Sequence, residues 1–200
     1  MKRWLLGAGM LAFSLSAAGL AVANARSSIG PEGIPIPNGP VLAPAGTSTR
    51  TVDGIHCGAT EQLAYHVHAH LVIFDRGKAR QVPSGIGIGP PREAQQTPYG
   101  AFVVAGSCFH WLHTHAADGI IHIESPTEKL YTLGNFFDVW GQPLGSDRVG
   151  PLSGRVTVLV DGRRFKGSPR AVLLRPHAQI QLDVGAPAVR QVLIRNWHGL

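Results

Sequence analysis

Residues 65–74 read YHVHAHLVIF, and polar and apolar side chains alternate along the first half of this stretch. Successive side chains of a β-strand point to opposite faces, so the pattern predicts a strand with two different surfaces. Three imidazole rings share one face: His66, His68 and His70. The apolar residues between them, Val67 and Ala69, fit a protein core on the other face.

A second histidine-rich stretch, HWLHTHAADGIIHIES, spans residues 110–125. Its Asp118-Gly119 pair is typical of a hairpin turn, because both residue types tolerate positive φ. With these two residues at the centre of the turn, the expected register gives two cross-strand pairs: His115 with His122, and His113 with Glu124. All four side chains would then lie on one face of the hairpin.

Imidazoles that are buried without partners are costly, so two alternating sets of histidines on apolar strands need an explanation. Neutral imidazole is the commonest side-chain ligand for several transition metals. We therefore predict a metal site with these ligands: His66, His68, His70, His113, His115, His122 and Glu124. By the same alternation His110 falls on the opposite face of its strand, so it is not included among the predicted ligands. A pH-sensing cluster and an adventitious surface patch remain alternatives.

The donor types restrict the metal. The only methionines are Met1 and Met10, both in the predicted signal peptide, which argues against the methionine-rich sites typical of Cu(I) carriers. Imidazoles with a carboxylate fit Cu(II), which leads the affinity order, and they also fit Zn(II) or Fe. Glu124 would be a ligand, an acceptor that orients an imidazole, or a general base.

The N-terminus has the features of an export signal. Lys2 and Arg3 precede an apolar run, and Ala23-Asn24-Ala25 resembles a cleavage site. We predict a signal peptide over residues 1–25 and an exported protein, periplasmic or secreted; an uncleaved anchor is the alternative. No later segment is apolar and long enough to span a bilayer, so the mature chain should have no membrane span.

The remaining chain divides by composition. Residues 26–50 are rich in proline and glycine and predict a tether or a segment draped on the surface. Residues 51–200 are enough for one histidine-rich β domain, or for two lobes over 51–128 and 129–200. The chain has 18 basic and 12 acidic residues with no run of five basic ones, which gives no indication of nucleic-acid binding.

The chain has two cysteines, Cys57 and Cys108. In an exported protein an even number of cysteines favours a disulfide. A thiolate ligand to copper is the alternative.

The fold class predicted from these patterns is mainly β, with antiparallel hairpins that form a sandwich or an open barrel. Further strands are expected at 79–82, 100–106, 109–115, 120–125, 155–165 and 178–185. One short helix is expected over 132–141, where apolar residues recur at helical spacing between Thr132 and Gly141 as caps.

Three motifs resemble a group of exported, histidine-rich bacterial and archaeal proteins. They are CFHWLHTHAADGIIHIESP (108–126), YTLGNFFDVWG (131–141) and HAQIQLDVG (177–185), within a similarity that covers most of residues 56–185. The resemblance implies that the predicted ligands belong together. It also gives His177 slightly more weight as a site residue, because the similar proteins carry a histidine just before the last strand. It implies no particular activity.

Two functions follow from these predictions. The first is an exported copper or zinc binder for storage, buffering or delivery, because there is no nucleophile elbow and no phosphate loop. The second is a small metalloenzyme with a histidine-bound Cu, Zn or Fe and Glu124 as proton acceptor. Whether the protein is an enzyme is left open.

Overall fold

The computed structural model of the protein describes residues 28–200. The predicted signal peptide, residues 1–25, lies outside the described residues. Within them the fold is mainly β with antiparallel sheets and one α-helix, and this confirms the predicted class. No helix in the described range is long and apolar enough to cross a membrane.

The strands in chain order are β1 (Ser28–Ile29), β2 (Pro35–Ile36), β3 (Cys57–Gly58), β4 (Tyr65–Asp75), β5 (Lys78–Arg80), β6 (Glu93–Thr97), β7 (Gly100–Ala105), β8 (Phe109–His110), β9 (Leu112–His113), β10 (Ile120–Ser125), β11 (Arg148–Val149), β12 (Leu152–Ser153), β13 (Val156–Val160), β14 (Arg163–Arg164) and β15 (Gln179–Val184). Helix α1 spans Leu133–Trp140, and a 3₁₀ turn spans Pro169–Ala171.

The central sheet contains seven strands in the order β14-β13-β15-β4-β10-β9, with β5 also paired to β4. The first half of β4 pairs antiparallel with β10, and its second half pairs with β15. The β4–β15 pair is parallel, which the predicted hairpins did not include. Both halves of the chain therefore contribute strands to one sheet.

Two tight turns connect neighbouring strands of this sheet. Arg76 and Gly77 between β4 and β5 have φ of 47° and 77°, and Asp161 and Gly162 between β13 and β14 have φ of 50° and 79°. Positive φ at both central residues matches the right-handed twist of the strands they join.

Helix α1 has the predicted caps. The Thr132 hydroxyl accepts a hydrogen bond from the Asn135 amide at 3.2 Å, and Gly141 ends the helix in the left-handed region. The large apolar side chains of the helix are fully buried: Leu133, Phe136, Phe137 and Trp140. The helix thus covers one face of the sheet.

Alternation along the strands assigns the two faces of the sheet. The core face carries the apolar members of each strand, including Ala69, Leu71, Ile73, Ile121, Ile123, Ile180, Leu182 and Val184. The opposite face carries the even-numbered residues of β4 and β10, which include His68 and His122.

The segment predicted as a tether packs on this domain. Strands β1 and β2 form a small hairpin, and Ile34 and Leu42 are buried. The Leu42 amide donates to the carbonyl oxygen of Gln81, which fixes the segment beside β5. This path brings Glu32 to the histidine-bearing face of the sheet.

Candidate metal centre

Three strands place imidazoles side by side on the face opposite helix α1. The β4–β10 register sets His68 opposite His122 and His66 opposite Glu124, and β9 adds His113 opposite His122. His115 follows β9 in the loop that leads to β10. We call the following residues the histidine cluster: His66, His68, His113, His115, His122 and Glu124. All except His66 are buried.

The predicted hairpin register is wrong by two residues. His122 faces His113 rather than His115, because residues 114–119 form a longer connection and Gly119 lies beyond the turn. The shift is even, so every side chain keeps its face. This is why the histidines still meet although the predicted partners were incorrect.

The donor atoms form two groups that could each hold a metal ion. One contains His113, His115, His122 and Glu124, and the other contains His66, His68 and His122; within each group the donor atoms lie within 4.8 Å of one another. The Nε2 atoms of His66 and His68 are 3.0 Å apart, and those of His113 and His115 are 3.1 Å apart. Nitrogen atoms this close are typical of ligands that share an ion.

The backbone determines which ring nitrogen of His113 and His115 is free. Nδ1–H of His113 donates to the carbonyl oxygen of His110 at 2.8 Å, and Nδ1–H of His115 donates to that of Val103. In a neutral ring the Nε2 atom then carries a lone pair. Two such lone pairs facing each other repel, unless a cation lies between them.

Burial keeps most of these rings neutral. It lowers the pKa of His68 to about 3, with a further contribution from His122. Burial also lowers the pKa of His115, and it lowers the pKa of His113 well below its usual value, in both cases with His122 adding to the effect. Neutral imidazole is the form that binds metals, so these rings are in the ligand form at neutral pH.

His122 is the exception, because two carboxylates contact it. Burial acts to lower its pKa, but hydrogen bonds to Glu124 and Glu32 raise that pKa to about 9. Its Nε2 lies 2.7 Å from Glu32 and its Nδ1 lies 3.2 Å from Glu124. Glu32 holds the Nε2 proton, which leaves Nδ1 directed into the cluster. A metal ion at Nδ1 would replace the second proton.

Two carboxylates at the site were missed by the sequence prediction. Glu61, four residues before β4, places Oε1 3.4 Å from His115 Nε2. Burial and the charge of Glu124 raise the pKa of Glu61. The other is Glu32, whose only sequence signal was being the sole acidic residue in the range 26–50.

Other histidines lie outside the cluster, including the predicted ligand His70. His70 Nε2–H donates to the carbonyl oxygen of Asp118 at 3.0 Å, although His70 shares a face with His68. Burial lowers the pKa of His70 to about 4. Both ring nitrogens of His110 face carbonyl oxygens, and His177 stacks on Trp197.

A cleft of about 300 Å³ opens onto the cluster. Phe102 and Val104 of β7 form its apolar wall, and Phe102 stacks on the His115 ring with centroids 4.7 Å apart. Glu61, His66 and Glu124 line the polar side. The donor atoms are therefore within reach of a small molecule from solvent.

Cys57 and Cys108 form a disulfide, as predicted, with Cα atoms 5.3 Å apart. The bond lies beside the β3–β8 pair, where Cys57 faces His110. Because both sulfur atoms are in the bond, neither is a thiolate ligand in this structure.

No protein-family model, curated protein or solved structure matches the chain. The class of the site therefore follows from its donor atoms. Imidazole nitrogens and carboxylate oxygens, most of them buried and oriented by neighbouring acceptors, form a group that could hold a transition-metal ion.

Proposed function

We propose that this protein is an exported copper or zinc binder, which holds its ion through the histidine cluster for storage, buffering or delivery. Nitrogen donors with a carboxylate fit Cu(II), which leads the affinity order, and Zn(II); iron fits such donors as well. The disulfide agrees with an oxidising compartment.

The observation that carries the proposal is the orientation of His113 and His115. Each ring donates its Nδ1 proton to a carbonyl oxygen, and their Nε2 atoms face each other at 3.1 Å. Such an arrangement is favourable when a cation accepts both lone pairs. It has no comparable advantage in a packed core.

The test is metal content by elemental analysis of protein purified from its own compartment. We expect copper or zinc in stoichiometric amount in the native chain. The cluster variant, in which His68, His113 and His122 are all replaced with Ala, should contain none, because each donor group loses at least two ligands.

A matched control removes three imidazoles elsewhere, by His56→Asn, His177→Asn and His198→Asn. The last two positions have φ of 60° and 52°, which Asn tolerates. The control should keep its metal. Equal metal in the cluster variant and the native chain would refute the proposal.

A metalloenzyme is the second candidate, and the cleft is the observation that favours it. A bound ion would supply Lewis acidity or redox chemistry. Glu124 Oε2 is buried and accepts no hydrogen bond from the described residues, so it could accept a proton from a molecule in the cleft. Binding of a small anion such as azide to the metal-loaded protein would indicate an accessible ion.

A further inference from the structure

We propose that the histidine cluster holds two metal ions bridged by the carboxylate of Glu124. This inference rests on the proposed metal-binding function and specifies its stoichiometry. It assigns both oxygens of Glu124 to metal binding rather than to proton transfer. Its basis is a division of the donor atoms into two sets that share this one side chain.

The first set is a closed ring of four donors. Nε2 of His66 and Nε2 of His68 are 3.0 Å apart, and Nε2 of His68 is 3.1 Å from Nδ1 of His122. That Nδ1 is 3.2 Å from Glu124 Oε1, which returns to His66 Nε2 at 3.0 Å. The three imidazole nitrogens lie within 4.8 Å of one another, so one zinc or copper ion could bind all three, with Glu124 Oε1 beside His66 and His122.

The second set lies on the other side of Glu124. His113 and His115 contribute Nε2 atoms 3.1 Å apart, and Glu61 Oε1 lies 3.4 Å and 3.9 Å from the His115 and His113 atoms. Glu124 Oε2 is 3.8 Å from His113 Nε2. This set is wider than the first and borders the cleft, so it leaves room for a ligand from solvent.

The two oxygens of Glu124 are used differently in the protein without metal. Oε1 contacts His66 and His122, whereas Oε2 is buried with no hydrogen-bond partner among residues 28–200. A buried carboxylate oxygen without a partner is costly. A second ion on the side of His113 would satisfy Oε2 and make Glu124 a bridge, as in two-metal sites with ions about 3.5–4 Å apart.

A single ion does not account for all the donors. An ion bound by His113, His115, His122 and Glu124 would leave the Nε2 atoms of His66 and His68 facing each other at 3.0 Å. An ion bound by the first set would leave the Nε2 atoms of His113 and His115 facing each other at 3.1 Å. Two ions would use both pairs of nitrogen atoms.

The experiment is a titration of the metal-free full chain with Cu(II), followed by native mass spectrometry and electron paramagnetic resonance. We expect two Cu(II) per chain and a spin signal far below two per chain, because ions bridged at this distance couple magnetically. A single bound ion would overturn the bridged pair while leaving the proposed function intact. Two ions with full, uncoupled signals would overturn the bridge, and no bound ion would overturn both proposals.

Paired variants locate each ion. Replacing His66 and His68 with Ala should leave one uncoupled Cu(II), and so should replacing His113 and His115. The control with His177→Asn and His198→Asn should retain two coupled ions. If one pair of substitutions leaves the copper count unchanged, that pair binds no ion and the proposal is wrong.

The conservative variant Glu124→Gln keeps the size of the side chain and removes the bridging charge. It should raise the spin signal per bound copper at least severalfold relative to the native chain. A coupled signal that persists in this variant would show that another group bridges the ions. The Zn(II) count by native mass spectrometry gives the stoichiometry independently of spin.

Discussion

The two faces of the central sheet are built from the same strands but are stabilised in opposite ways. On the core face, residues such as Leu71 and Ile121 belong to the same hydrophobic cluster as the aromatic residues of helix α1 and lose almost all contact with water. On the other face, His68 and His122 are nearly as buried but meet other imidazoles and carboxylates. One face is favourable as it stands, whereas the other gathers buried polar donors that could hold a cation.

The difference shows that burial has two different consequences in this molecule. Apolar burial contributes to folding directly, at about 2–3 kcal/mol for a side chain such as Phe137. Burial of the imidazoles lowers their pKa and keeps them in the neutral form, which is the form that binds metal ions. Four experiments test this difference between the two faces.

Truncation on the core face should have the largest effect. Phe137 is fully buried in α1, so Phe137→Ala should lower the free energy of unfolding by about 3–5 kcal/mol. Urea unfolding of the metal-free protein measures this. Val192→Ala, at an exposed position, is the control and should change it by less than about 0.5 kcal/mol. A small decrease in the free energy of unfolding for Phe137→Ala would mean that α1 contributes little to the stability of the sheet.

Acid should destabilise the metal-free protein through the histidine face. The folded protein takes up a proton on His70 only near pH 4, whereas the unfolded chain does so near 6.5. The unfolded state thus binds more protons between these values, and stability falls as pH falls through that window, by roughly 3 kcal/mol for this group.

The matched variant for acid destabilisation is His70→Asn, which keeps a donor for the Asp118 carbonyl oxygen. Its unfolding free energy should depend less steeply on pH between 6.5 and 4 than that of the native chain. Identical slopes in the two proteins would exclude His70 as a source of the pH dependence.

Metal should stabilise the native chain but not the cluster variant. A ligand that binds only the folded state at a hundredfold excess over its Kd adds about 2.7 kcal/mol. Thermal unfolding with and without added Zn(II) measures the gain. A cluster variant that gains as much as the native chain would place the stabilising ion elsewhere.

The smallest effect should come from Glu32, which touches the cluster only through His122. Glu32→Gln keeps an oxygen that can accept the Nε2–H and removes the charge, so we expect roughly tenfold weaker metal binding. Calorimetric titration measures this change. Glu128→Gln, at an exposed position, should bind as the native chain does.

Much of this fold was predictable because its signals are local. Alternation in β4, the Asp161-Gly162 turn and the spacing of apolar residues in α1 each depend on neighbouring residues. The parity rule placed His66 and His68 on one face of their strand, and His113 and His122 on one face of the hairpin, and it tolerated an error of two residues in the register. That the two sets meet was a separate inference from their chemistry as metal ligands.

The rest depends on contacts between distant residues. The parallel partner of β4 comes from the far end of the chain, and no local pattern indicates it. Glu32 and Glu61 lie on irregular segments, where no periodicity assigns a direction to a side chain. His70 has the parity of a ligand, but the loop before β10 places the Asp118 carbonyl oxygen against it.

The parallel pairing of β4 with β15 also orders the events by which the protein matures. Gln179 lies beside His70, roughly 110 residues earlier in the chain, so β4 lacks one neighbour until β15 has been synthesised. The strand that carries His66 and His68 is therefore paired along both of its edges only after β15 has joined the sheet.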